Sequence, residues 1–173
     1  MADAPQLIYW DSCVIIAYLN EDSNYDLKVL DAIVDEVGES NGKIKIVSSV
    51  FSKVEVVFDA TEKTNNRLSP DAEKKIDDFW KDDSVLEVVE FHDGIVKLAR
   101  TLIRESIPNG WRVLEKGDAI HLATAKWVGV SEFHTYDLSH LARYEQTIGF
   151  KICEPYTEQP RLVDAPKGKP RPK

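Results

Sequence analysis

Short apolar runs alternate with amphipathic stretches along most of the chain, and this alternation constrains the fold more than any other feature. Leu7-Ile8-Tyr9-Trp10 reads as a buried strand, and Ser12 to Leu19 as a short helix. Asn24 to Val37 places Leu27, Leu30, Ile33, Val34 and Val37 on one helical face. Gly38 and Asn41-Gly42 stop it. Lys43 to Ser48 reads as a second strand, and Val50 to about Ala60 as a helix, followed by a polar loop over 61–68. Ser69-Pro70 pairs an N-cap with proline at the first helical position and opens a helix to Lys81. Val85 to Val89 is a third strand, Asp93 to Glu105 a helix, and Asp118 to Val128 an alanine-rich helix. Glu132 to Thr135, Leu138 to Tyr144 and Phe150 to Cys153 read as strand, helix and strand. Strands alternating with helices predict βαβ units, so the fold class is α/β, with a parallel sheet covered on both faces. In such sheets ligands collect outside the carboxyl ends of the strands, where the strand order reverses.

Composition narrows the function classes. The chain has 173 residues, 43% of them hydrophobic and 30% charged, which fits one ordinary domain with a real core. No run approaches the roughly 18 apolar residues of a membrane helix. The start lacks the basic and apolar regions of a secretory signal. Cys13 and Cys153 form no CxxC pair. The expectation is a soluble cytoplasmic protein. A net charge of −8 disfavours binding nucleic acid over the whole surface. The charge is uneven. Residues 155–173 hold five bases, two acids and five of the eight prolines, with little apolar content. Residues 1–154 therefore read as the domain, and 155–173 as a flexible basic tail: a solvated terminus, or an arm that helps hold a polyanion.

Four carboxylates fall near the predicted carboxyl edge. Asp11 follows the first strand, Asp137 follows the fourth, Glu55 lies in the helix after the second, and Asp118 opens the alanine-rich helix. Each has a local alternative. Asp11, Asp118 and Asp137 could cap or charge a helix start, and Ser52-x-x-Glu55 matches a capping box. Together they carry more weight. Carboxylates with ordinary pKa values near ~4 repel when packed at neutral pH, and hard divalent cations relieve that repulsion. Mg²⁺ binds through a few carboxylates plus substrate phosphates and keeps several waters. An acidic pocket carrying a metal can therefore act on a polyanion.

The segments Tyr9-Trp10-Asp11-Ser12-Cys13-Val14-Ile15, Ser52-Lys53-Val54-Glu55-Val56, Gly117-Asp118-Ala119-Ile120-His121-Leu122-Ala123-Thr124-Ala125 and Thr135-Tyr136-Asp137 resemble a PIN-domain ribonuclease, in particular the VapC-like toxin branch. The resemblance runs from about residue 6 to 153. It implies a three-layer α/β/α sandwich with a parallel sheet of about five strands. It also implies Mg²⁺- or Mn²⁺-dependent endonuclease activity on RNA. By carry-over, Asp11, Glu55, Asp118 and Asp137 are the catalytic and metal-binding acids, supported by the hydroxyls of Ser12 and Thr135. Where the family often has a further acid, this chain has Ser139, a poorer metal ligand. A small antitoxin and a homodimer are further implications.

Other residues are weaker candidates. His121 lies one turn after Asp118, where it either helps proton transfer or packs in the helix. His134 and His140 make no zinc-type spacing and read as structural or surface residues, and Cys13 reads as a small packed residue. Arg67, Arg100, Arg104 and Arg112 could line an RNA path, and charge patterning does not choose among them. No Gly-rich phosphate loop, GxSxG or HExxH occurs. Two competing readings stand beside the ribonuclease. One is a PIN-fold interaction module with little catalysis. The other is an aspartyl-phosphate phosphatase, which wants an acid two residues after its nucleophile, where this chain has Cys13.

Overall fold

Five parallel strands form one sheet in the order β3-β2-β1-β4-β5, where β1 is Gln6–Trp10, β2 Ile44–Ser49, β3 Leu86–Val89, β4 Glu132–His134 and β5 Lys151–Cys153. This comes from a computed structural model that describes residues 4–157. The chain starts at the centre, steps outward to β3, then crosses to the other side of β1. The strand order therefore reverses between β1 and β4, and a crevice opens there at the carboxyl edge. In register, Trp10 lies beside His134.

Alternation along each strand splits the core in two. Tyr9, Val47, Phe133 and Ile152 face α6 (Asp93–Glu105) and α7 (Lys116–Val128), packing with Ile95, Leu102, Ala119, Leu122 and Ala123. Trp10, Ile46 and Leu86 face the other layer, packing with Val14 and Ile15 of α1 (Ser12–Asn20) and Leu30 and Ile33 of α2 (Leu27–Glu39). Ile76 of α5 (Pro70–Lys81) joins that layer. The result is the expected three-layer sandwich. Tyr9 and Phe133 stack at 4.9 Å between ring centres and tie β1 to β4.

Several boundaries differ from the sequence expectation. The predicted helix 50–60 is broken. α3 spans Ser52–Glu55, the chain runs irregularly to Asp59, and α4 spans Ala60–Asn65, inside the predicted loop. The cause is a capping box at Asp59 and Glu62. The Glu62 N–H donates to Asp59 Oδ1 (2.9 Å) and the Asp59 N–H to Glu62 Oε2 (3.2 Å). The box read at Ser52 and Glu55 does not form. Ser52 pairs with Ser48 at 2.7 Å, and Glu55 turns toward α1. α2 starts at Leu27 rather than Asn24, because Asn24 closes a turn onto Asp22. α7 starts at Lys116, so Asp118 sits in its first turn instead of opening it. The predicted helix 138–144 divides into α8 (Leu138–Leu141) and a 3-10 turn (Ala142–Tyr144), and α9 (Glu145–Ile148) follows. Tyr144 is buried and hydrogen-bonded to Ser106 (2.8 Å), which holds that turn inward. No helix among the described residues is long and apolar enough to cross a membrane. Most of the basic tail, residues 158–173, lies outside the described residues.

Candidate active site

Strand ends bring the acids to one crevice. Asp11 leaves β1 as the N-cap of α1, and its Oδ1 accepts the Ser12 N–H at 2.7 Å. Capping and a site role are therefore compatible, because an ionised carboxylate can accept about four hydrogen bonds. Oδ2 accepts the Thr135 hydroxyl at 2.8 Å, and the Thr135 oxygen accepts the Asp137 N–H at 3.0 Å. One buried hydroxyl thus fixes the end of β1 to the turn after β4. Asp137 occupies the N-cap position of α8 without a capping bond, and its Oδ1 accepts the Ser139 hydroxyl at 3.1 Å.

Asp118 projects from the first turn of α7 into a shallow cleft of about 200 Å³ that it shares with Asp137, Arg112, Glu115, His140 and Arg143. Burial, together with the negative charges of Asp11, Asp137 and Glu115, pushes its carboxyl up to about 6. Arg112 does not neutralise it, because its guanidinium is held by Glu115 at 2.9 Å.

Glu55 belongs to a separate polar chain at the inner wall. Its Oε2 accepts the Ser12 hydroxyl and lies 2.6 Å from His121 Nε2. His121 is 1% exposed and packs edge-on against Tyr9 and Phe51. Its Nδ1 lies 2.7 Å from the Tyr9 hydroxyl, which also accepts the Ser49 N–H at 3.0 Å. When the imidazole is neutral, Tyr9 donating to Nδ1 and Nε2–H donating to Glu55 satisfies every member. Burial raises the Glu55 carboxyl, but the His121 bond and charge and the Ser12 bond outweigh it and hold the group low. Burial likewise lowers His121, and Glu55, Asp11 and Asp118 more than reverse that. Gly117 passes so close that an added Cβ would lie 3.0 Å from Glu55 Oε1. Tyr9→Phe removes an acceptor from a buried N–H and a partner from a buried ring nitrogen. It should cost about 1–3 kcal/mol of unfolding free energy, read by urea titration.

The four acids and the Ser12, Thr135 and Ser139 hydroxyls offer hard oxygen donors, which suit Mg²⁺ or Mn²⁺. No three of these acids bring ligand oxygens within 4.8 Å of one another among the described residues. Cys13 does not supply a nucleophile. Burial and Asp11 push its thiol up to about 12, and the thiol donates to Asp11 Oδ2 at 3.4 Å.

The structure thus brings Asp11, Asp118, Asp137, Ser12, Thr135 and Ser139 to the crevice, with Glu55 at its wall. The sequence leaves His121 between proton transfer and helix packing, and it does not point to Arg143 or Glu115. The one-turn spacing of His121 from Asp118 was a usable signal, whereas Arg143 reaches the cleft through the broken helix after Asp137.

Residues 8–145 match the model of the PIN domain family. No curated protein matches the chain in sequence. Solved structures are similar in fold. A chain of VapBC2 from Rickettsia felis, bound to a DNA fragment from its promoter, aligns at 11% identity with a TM-score of 0.62. The alignment covers 88% of this chain and 100% of that one. A chain of DNA-bound VapBC from Salmonella typhimurium aligns at 16% identity and 0.56, covering 85% and 96%. A chain of FitAcB from Neisseria gonorrhoeae aligns at 12% and 0.55, covering 86% and 97%.

Proposed function

The chain belongs to the PIN domain family, and on that footing we propose that it is a divalent-metal-dependent endoribonuclease, the toxin of a toxin–antitoxin pair. The observation that carries the reading is the Thr135 hydroxyl joining Asp11 to the Asp137 backbone at the reversal of strand order, with Asp118 facing them unneutralised. Clustered charge of this kind weakens a fold unless a cation uses it.

PIN domains generally use divalent metal ions, and Asp11, Asp118 and Asp137 are the residues that would hold one here. A bound Mg²⁺ or Mn²⁺ supplies a water of lowered pKa and stabilises charge on the phosphodiester. The chain's own residues do the rest. Thr135 and the Ser12 N–H orient the Asp11 carboxylate. His121 and Ser12 hold Glu55 in place and ionised, a fixed negative charge at the crevice wall. Arg112 and Arg143 rim the cleft and offer donors to the RNA backbone. Ser139 gives Asp137 a hydrogen bond in place of a further acidic ligand, which favours one ion over two.

The antitoxin partner is supported by the fold likeness to chains from VapBC and FitAcB complexes. It is also supported by Val54, Val57 and Phe58, which flank Glu55 and are exposed. A bound protein segment would cover them and close the crevice. A homodimer belongs to the same proposal.

Incubation of the purified chain with a mixed RNA pool tests the reading. Cutting in Mg²⁺ or Mn²⁺ and none in EDTA is expected. Folded protein that neither cuts RNA nor binds metal would replace it with the interaction-module reading. The basic rim has its own test, in an Asp11→Asn background that blocks cleavage. Replacing Arg112 and Arg143 by alanine should flatten the slope of log affinity for single-stranded RNA against log salt by about 1.4. Fluorescence anisotropy at several salt concentrations reads that slope.

A further inference from the structure

A second group of ligand-type side chains lies at the ends of β4 and β5, next to Thr135 in the chain but with donors of a different kind from the acidic crevice. Pairing of β4 with β5 sets His134 beside Cys153. Residues two apart on a strand share a face, so Glu132 and His134 project together. Their face is the one opposite Phe133 and Ile152, which belong to the core under α6 and α7. A Glu132 carboxylate oxygen, a His134 ring nitrogen and Cys153 Sγ all lie within 4.8 Å of one another. The His134 ring is 1% exposed, and its Nε2 lies 3.1 Å from Glu132 Oε2. Its Nδ1 is buried with no hydrogen-bond partner. A native interior seldom leaves such an atom orphaned, and a bound ion or an ordered water is what usually satisfies it.

We propose that Glu132, His134 and Cys153 form a second metal site, for a borderline transition-metal ion of the Zn²⁺ class. The donor set of thiolate, imidazole and carboxylate suits Zn²⁺ and is wrong for Mg²⁺. Zinc–ligand bonds of about 2.0–2.3 Å in tetrahedral geometry put ligand atoms roughly 3.3–3.8 Å apart, so the three donors need move little. Three protein ligands leave a fourth position for water. The Tyr156 hydroxyl donates to Glu132 Oε1 at 2.5 Å and orients the carboxylate from outside the site. Glu132, His134 and Tyr156 line a cleft of about 300 Å³ that runs under α2 to Ile33 and Glu36, which gives an ion a path in. The competing cation is Lys151, whose Nζ lies 3.7 Å from Glu132 Oε1 and 4.0 Å from the Tyr156 ring centre. Its side chain is half-exposed and can swing into solvent. Binding releases the Cys153 thiol proton to solvent, so affinity rises with pH. The bound ion would staple the edge strand β5 to β4.

Cobalt titration of the metal-free full chain tests this, because Co²⁺ reports thiolate coordination by a near-ultraviolet charge-transfer band. One equivalent of Co²⁺ should give the band, and one equivalent of Zn²⁺ should abolish it. Cys153→Ser should lose the band and weaken Zn²⁺ binding by at least about 100-fold. Cys13→Ser and Asp118→Asn should keep it, which separates this site from the acidic crevice. His134→Gln serves as a second variant, and circular dichroism checks that each variant is folded. Zn²⁺ should raise the melting temperature of the native chain and leave that of Cys153→Ser unchanged. Absence of the band in folded native protein would overturn the proposal. So would a band that survives Cys153→Ser, or one that disappears in Cys13→Ser instead.

Discussion

Asp11→Asn should reduce metal-dependent RNA cleavage by at least about 100- to 1,000-fold, the scale seen when one preorganised charge stabiliser is removed from an active site. The fold should survive. Asp11 uses Oδ1 to cap α1 and Oδ2 to accept from Thr135. Asparagine keeps one oxygen for the cap, and its amide can donate to a rotated Thr135 hydroxyl, which has the lone pairs to accept. The loss of stability should stay within about 1 kcal/mol. Single-turnover cleavage beside a urea titration separates the two effects. Cleavage that survives in the variant would remove Asp11 from the chemistry. Equal collapse of activity and stability would make it a structural cap.

Asp118→Asn should stabilise the metal-free protein while inactivating it. The Asp118 carboxyl is pushed up to about 6 from the ordinary 3.8 by burial and by Asp11, Asp137 and Glu115. Below pH 3.8 the group is protonated in both states and costs nothing. Between 3.8 and about 6 the unfolded chain releases its proton and the folded chain keeps it, so stability falls as pH rises. Above about 6 the penalty is constant. A shift of this size corresponds to on the order of 1–3 kcal/mol once solvent screening of the side chain is allowed for. In EDTA at neutral pH, the variant should therefore unfold at higher urea, and its melting temperature should rise by roughly 2–4 °C per kcal/mol. The difference should vanish near pH 4. A variant less stable than the native chain at pH 7 would show that Asp118 is held by favourable contacts.

The strands and the acids at their ends were legible in the sequence because their signals are local. Leu7 to Trp10 and Ile44 to Val47 are apolar runs of strand length, and Asp11 follows its strand directly. The strand order was not legible, because it depends on packing between distant segments such as the Tyr9–Phe133 stack. The helix over 50–60 was misread for a related reason. Val54, Val56, Val57 and Phe58 look like a continuing apolar face, yet Val56 alone of the four is buried. Asp59 and Glu62 then start a new helix with the box that had been assigned to Ser52 and Glu55. His121 was visible as a neighbour of Asp118. Its partners Tyr9 and Glu55 come from β1 and α3, so its place in the polar chain emerges only in three dimensions. The same holds for Glu132, His134 and Cys153, whose grouping is made by a strand pairing that linear spacing does not encode.

The central claim is that three carboxylates at the reversal of strand order hold a divalent ion. Mn²⁺ binding followed by electron paramagnetic resonance tests it most directly, in a Cys153→Ser background so that the sheet-edge thiol cannot contribute. The account predicts one bound ion per chain, displaced by excess Mg²⁺. It predicts binding at least tenfold weaker in Asp11→Asn and in Asp118→Asn, in line with the loss of a carboxylate from an oxygen-ligand site. Equal Mn²⁺ binding in the parent and both variants would contradict it, as would no binding in a folded protein that still cuts RNA.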